Sequence, residues 1–220
     1  MSETLARMPT TIAPSDLPAP HDPDLPYAIS MVCTGNICRS AMAEVVLIDR
    51  LAAAGVPACG PTGVVVTSAG VSDEEHGNPI DRRARRLLAE RGYGSGGDAA
   101  ARAAAVAIRD HAAHRIGDAE LAGADLVLAM TSAHRRELLR RAERLGVDAD
   151  RIRMFRELDP AVAGDERHWA AVGARTHHGL DVPDPWYGTM EDFVKTLEVV
   201  ERVCNALVPA LAELSAQRRR

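Results

Sequence analysis

One octapeptide concentrates reactive side chains: Cys33-Thr34-Gly35-Asn36-Ile37-Cys38-Arg39-Ser40. It follows an apolar run and opens a helical pattern. At such a strand-to-helix turn, backbone N–H groups and a helix N-terminus converge on one point and form an anion site. Gly35 and Asn36 are the residue types that tolerate the positive φ a tight cradle needs. Arg39 can grip two oxygens of a tetrahedral oxyanion with its planar fork. Cys33 heads the loop, where N–H groups, the helix dipole and Arg39 all favour a thiolate. A thiolate facing a bound phosphate is a nucleophile placed for in-line attack. Two blander readings compete. One is a buried structural cysteine in a strand-to-helix turn. The other is a zinc ligand, for which Cys59 and Cys204 lack the spacing.

The elements that must hold this loop are legible as alternating patterns. YAISMVC, from Tyr27, reads as a buried strand, and AMAEVVLIDRLAAAG as a helix stopped by Gly55. VVVTSAG is a second strand and NPIDRRARRLLAERG an amphipathic helix ending at Gly92. ADLVLAM (124–130) is a third strand, followed by a helix with Ser132 as its expected N-cap. RIRMF (151–155) is a fourth strand, and 190–214 is a long helix. The expected class is α/β: a four-stranded parallel sheet with helices on both faces and the phosphate loop between the first strand and first helix.

Residues 1–26 carry six of the 13 prolines and read as a disordered leader. The domain is expected over 27–215, with surface insertions at about 94–107 and 161–181 and a solvated basic tail at 216–220. Gly92–Gly97 matches G-x-G-x-x-G but follows a helix, so the dinucleotide fingerprint lacks its context. The arginines of 82–91 read as a solvated face.

Over 220 residues the net charge is −5, with 26% charged and 3% aromatic residues. An acidic balance argues against nucleic acid as a partner. No apolar run reaches the roughly 18–20 residues of a membrane span. No secretory signal is visible and four cysteines make no disulfide framework, so a cytoplasmic protein is expected.

The Cys33–Ser40 segment resembles the phosphate-binding loop of the low-molecular-weight protein tyrosine phosphatases. The likeness continues through Ala43-Glu44, Thr67-Ser68-Ala69-Gly70, Asn78-Pro79 with Asp81 and Ala84, the strand 124–130, and Asp181-Val182-Pro183-Asp184-Pro185-Trp186-Tyr187-Gly188. It implies a hydrolase of phosphotyrosyl proteins or peptides. The reaction runs through a cysteinyl-phosphate, needs no cofactor or metal, and is carried by a monomer or weak dimer.

The resemblance also distributes roles. Cys33 is the nucleophile, Arg39 the oxyanion clamp, and residues 34–40 the phosphate cradle. Asp184, stiffened by Pro185, is the general acid, with Asp181 as its competitor. Ser40 donates to the Cys33 sulfur. Asn36, Ser68 and His111 form a buried network behind the loop. Trp186 and Tyr187 make one wall of the substrate slot. Cys38 has two readings: simple packing behind the loop, or a reversible disulfide with Cys33 that guards the nucleophile, which the resemblance implies.

The chain departs from this pattern at Val71–Gly77. Here Asp73, Glu74 and Glu75 replace the aromatic residue that most members place after Ser-Ala-Gly. Three other activities stay in view: phosphoarginine hydrolysis, thiol-dependent arsenate reduction and a catalytically weak phosphate-binding regulatory module. Arsenate reduction needs a cysteine relay, and Leu128-Ala129-Met130-Thr131 has no cysteine.

Overall fold

A computed structural model describes residues 12–162 and 178–219. Four strands form one parallel sheet in the order β2-β1-β3-β4: β1 (Tyr27–Cys33), β2 (Val64–Gly70), β3 (Leu126–Ala129) and β4 (Ile152–Met154). The chain leaves β1 for one neighbour and later returns to the other. This puts the topological switch, where α/β sheets bind ligands, at the carboxyl end of β1. Cys33 is the last residue of β1 and pairs with Gly70, the last of β2. Gly70 is required there, because a Cβ would lie 2.4 Å from the carbonyl oxygen of Thr34.

Alternation along β1 divides the core. Tyr27, Ile29, Met31 and Cys33 face one cluster with Met42, Val46, Leu47, Phe193 and Leu207. Val32 faces the other, with Val127, Leu121, Leu138 and Ile152. The first cluster is covered by α1 (Arg39–Ala53), α2 (Arg82–Glu90), α3 (Ala99–Asp110) and the long α6 (Met190–Gln217). The second is covered by α4 (Asp118–Gly123) and α5 (Ser132–Leu145).

Four expectations change. The stretch 94–107 is no loose insertion: from Ala99 it forms α3, N-capped by Asp98, with Ala101 and Ala104 buried and Ala104 packed into the main core. Alanine is the best helix former, and its small side chain permits close packing. Residues 12–26 of the leader lie on the domain. Leu17 is buried, the Tyr27 hydroxyl donates to the Pro18 carbonyl at 3.0 Å, and the His21 N–H donates to Asp125 at 2.7 Å. In the basic tail, Arg218 ends α6 and donates to the carbonyls of Asp22, Pro23 and Leu25. Helix α5 is capped by Thr131, whose hydroxyl accepts the His134 N–H, rather than by Ser132. The second expected insertion, 161–181, falls mostly outside the described residues.

Candidate active site

The loop between β1 and α1 curls over the end of the sheet. Its return is fixed by the Val71 and Ser72 N–H groups donating to the carbonyls of Cys33 and Thr34, and by Asp81 N–H donating to Ile37. Asn36 is the only non-glycine at positive φ among the described residues (62°). Such a conformation costs energy in most residues and persists where surrounding contacts enforce it. Here they do. Asn36 is fully buried, and its side-chain amide donates to Ser40 Oγ (3.0 Å) and Ser68 Oγ (2.8 Å). Its Oδ1 accepts the His114 N–H.

His111 meets this network through the backbone: its Nε2 donates to the Asn36 carbonyl at 2.7 Å. Glu44 completes the network. It accepts the Ser68 hydroxyl at 2.5 Å and lies 3.6 Å from His111 Nδ1.

Cys33 is buried at the centre of the loop. Its Sγ is 3.0 Å from Ser40 Oγ and accepts the Asn36 N–H at 3.3 Å. Ser40 Oγ accepts from the Asn36 amide, and its single proton faces the sulfur at 3.0 Å and the Ala69 carbonyl at 3.4 Å. Cys38 is also buried and unpaired. Burial, aided by the nearby charge of Asp81, pushes its thiol well above the ordinary range, so it carries no thiolate at neutral pH. Cys38 also stands at the N-cap of α1 without a side-chain hydrogen bond to the first turn. The first N–H groups of that helix are therefore suited to an anion.

Arg39 is 4% exposed. Nη1 donates to the Val182 carbonyl (3.3 Å), and Nη2 to Thr34 Oγ1 (3.1 Å) and Asp184 Oδ2 (2.5 Å). Its buried Nε has no acceptor among the described residues. A buried N–H left without a partner is costly, and an oxyanion in the loop would relieve it.

Asp184 is 42% exposed at the cleft mouth and accepts the Trp186 N–H at 3.2 Å. Its competitor Asp181 instead accepts the Ser132 N–H at 2.6 Å and belongs to the start of α5. The cleft, of about 160 Å³, is bounded by Cys33, Gly35, Arg39, Asp184, Trp186 and Tyr187, with Glu74 and Glu75 across from them. Tyr187 is 95% exposed and Trp186 37%, so both stand at the rim rather than in the core. The acidic side is closely fitted, since a Cβ on Gly35 would lie 2.8 Å from Glu75 Cγ. Among the described residues no group of three His, Cys, Asp or Glu could hold a metal, and no helix is long and apolar enough to cross a membrane.

Two site residues escape sequence reasoning. Arg83, read as solvated, forks onto Asp81 and donates to the carbonyls of Trp186 (3.1 Å) and Gly188 (3.3 Å). Its guanidinium lies over the rings of Phe193 (4.5 Å) and Trp186 (5.6 Å), and so ties the Asp184 loop to α2 and α6. His134 Nε2 is 3.0 Å from Thr34 Oγ1. That hydroxyl also accepts from Arg39 Nη2, and the buried His134 Nδ1 has no hydrogen-bond partner among the described residues. Burial, then the charge of Arg39, pushes His134 down to about 4.

The same arrangement of loop and sheet recurs in known proteins. The family model for low molecular weight phosphotyrosine protein phosphatase matches residues 28–220. A low molecular weight protein-tyrosine-phosphatase of Streptomyces coelicolor is 37% identical over 189 residues, covering 85% of this chain and 94% of that protein. The crystal structure of the low molecular weight protein tyrosine phosphatase from T. tengcongensis is 30% identical with a TM-score of 0.58, covering 83% of this chain and 97% of that one. The YwlE arginine phosphatase from Geobacillus stearothermophilus is 25% identical with a TM-score of 0.59, covering 87% and 97%. With the match running through the phosphate loop, the sheet and the aspartate loop alike, the chain belongs to the low molecular weight phosphotyrosine protein phosphatase family.

Proposed function

We propose that this phosphatase hydrolyses aryl phosphate monoesters, phosphotyrosine foremost, through a phosphoryl group carried on Cys33. The observation that carries this reading is the convergence of Cys33 Sγ, the buried Arg39 fork and the Asp184 carboxylate on one small cleft. In the first step the Cys33 thiolate attacks phosphorus, the S–P bond forms and the P–O bond to the phenol breaks. Protonated Asp184 gives its proton to the departing oxygen. In the second step water attacks phosphorus, its proton passes to the Asp184 carboxylate, and the S–P bond breaks. Ser40 Oγ, 3.0 Å from the sulfur, stabilises the thiolate as it leaves. Loop N–H groups and Arg39 hold the equatorial oxygens throughout. Each of these groups is a side chain or backbone of the chain itself.

Trp186 and Tyr187 supply an aromatic wall for a phenyl ring. Cys38 is the partner with which Cys33 forms a protective disulfide: peroxide takes two electrons from the two thiols, forming S–S and water. Glu74 and Glu75 favour a second reading, phosphoarginine, because an acidic wall suits a guanidinium; the arginine phosphatase named above has the same fold. The deciding experiment compares p-nitrophenyl phosphate, phosphotyrosyl, phosphoseryl and phosphoarginyl peptides. Turnover of the first two supports the aryl reading, and faster turnover of the phosphoarginyl peptide moves the assignment to the second.

A further inference from the structure

A second, larger cavity of about 450 Å³ opens behind the phosphate loop, between α1, β2 and α3. This is within the usual size of small-molecule sites, about 300–1,000 Å³. Ile48, Leu51, Val56, Val64, Val66 and Val106 make its walls, and the alanines of α3 leave it open. Glu44 and His111 line it too; His111 bonds the Asn36 carbonyl, and Glu44 reaches the Asn36 amide through Ser68. Ser68 occupies only Glu44 Oε2; Oε1 has no hydrogen-bond partner among the described residues. Asp110 also lines the cavity, held by its neighbour Arg109. An apolar cavity ending in an open carboxylate oxygen suits an aliphatic chain with a cationic, hydrogen-bond-donating head. A carboxylate head would meet like charge.

We propose that this cavity is an effector site for aliphatic amines, and that its occupation weakens phosphate binding at the Cys33 loop. An ammonium group on Glu44 Oε1 draws carboxylate charge away from Oε2 and so weakens the bond that Oε2 accepts from the Ser68 hydroxyl. Ser68 is 2.8 Å from the Asn36 amide, and Asn36 donates its N–H to the Cys33 sulfur. Loosening Ser68 therefore withdraws support from the one non-glycine held at positive φ among the described residues. Coupling of this kind is reciprocal: phosphate in the loop must disfavour the amine by the same factor.

The test is a titration of the full chain with n-octylamine, and with octanoate as its charge-reversed counterpart, read by methyl NMR of Ile48, Val64 and Val66. Inorganic phosphate affinity is read in parallel from the Gly35 amide, independently of turnover. The expected result is saturable shifts with the amine, weaker ones with octanoate, and phosphate affinity lowered about fivefold or more at saturation. Ala103→Trp, which fills the cavity from α3, abolishes both effects and leaves p-nitrophenyl phosphate hydrolysis unchanged. Val106→Trp, at an exposed rim position, replaces it should that variant not fold. No saturable binding, equal binding of octanoate, unchanged phosphate affinity, or binding that survives a folded cavity-filling variant would each overturn the proposal.

Discussion

Arg39 Nη2 donates to Asp184 Oδ2 at 2.5 Å, so the proposed phosphate clamp touches the proposed general acid. A phosphate dianion in the loop draws the guanidinium to its own oxygens. In the proposed mechanism, phosphate binding thus reaches the general acid through one side chain. Asp184→Asn keeps the shape and removes the proton. We expect kcat to fall about 10²–10⁴-fold on phenyl phosphate, and much less on p-nitrophenyl phosphate, whose leaving group needs less help. A plot of rate against leaving-group pKa checks this; equal losses on both substrates would contradict it.

The acidic wall sets the second expectation. Glu74 and Glu75 border the cleft beside Cys33 and Gly35. Phosphotyrosyl peptides with flanking Lys or Arg should give higher kcat/KM than matched acidic ones, chiefly at low salt, because exposed charges act mainly on association. Glu74→Lys with Glu75→Lys should reverse that order while p-nitrophenyl phosphate turnover changes little. Peptide kinetics at two ionic strengths decide it.

Arg83 is a positioning residue. It grips the Trp186 and Gly188 carbonyls on either side of the exposed Tyr187. Arg83→Met frees the aspartate loop, and a misplacement of about 1 Å can cost up to about 100-fold in rate. The expected signature is a drop in kcat that grows with leaving-group pKa, as in Asp184→Asn but smaller, together with a modest rise in KM. A change confined to thermal stability would assign Arg83 a structural role only.

His134 makes stability depend on acid. Its folded pKa is pushed down to about 4 from an ordinary 6.5, so the folded state holds it neutral while the unfolded chain binds a proton below 6.5. Its contribution is complete above pH 6.5, is lost as pH falls, and levels off near pH 4, at no more than about 1.4 kcal/mol per pH unit. His134→Gln keeps a hydrogen-bonding partner for Thr34 and does not titrate. The melting temperature of the variant should therefore gain on the wild type between pH 7 and 4.5. A difference that stays constant with pH would contradict this.

What the sequence discloses and what it hides follow from chain distance. Cys33 through Ser40 are consecutive, bounded by a seven-residue apolar strand and a helix, so the cradle is readable as a unit. Thr34 and His134 lie 100 residues apart, and Arg83 and Trp186 lie 103 apart; no periodicity announces either pair. Arg83 sits in a row of arginines whose others look the same in sequence, and only the packing of α2 against the aspartate loop singles it out. Helix α3 follows a glycine-rich stretch that resembles a loop. Its alanines declare themselves only when α1 is there to pack against. The leader's prolines read as disorder, while Leu17 and the His21–Asp125 contact bind it to the sheet end.

The most direct measurement is to trap the phospho-enzyme. Asp184→Asn, mixed with p-nitrophenyl phosphate, quenched in acid within milliseconds and digested, should yield the Cys33 peptide carrying one phosphoryl group. The Cys33→Ser variant should release no p-nitrophenol in steady state. Phosphate found on another residue, or steady turnover by Cys33→Ser, would contradict a mechanism built on the Cys33 thiolate.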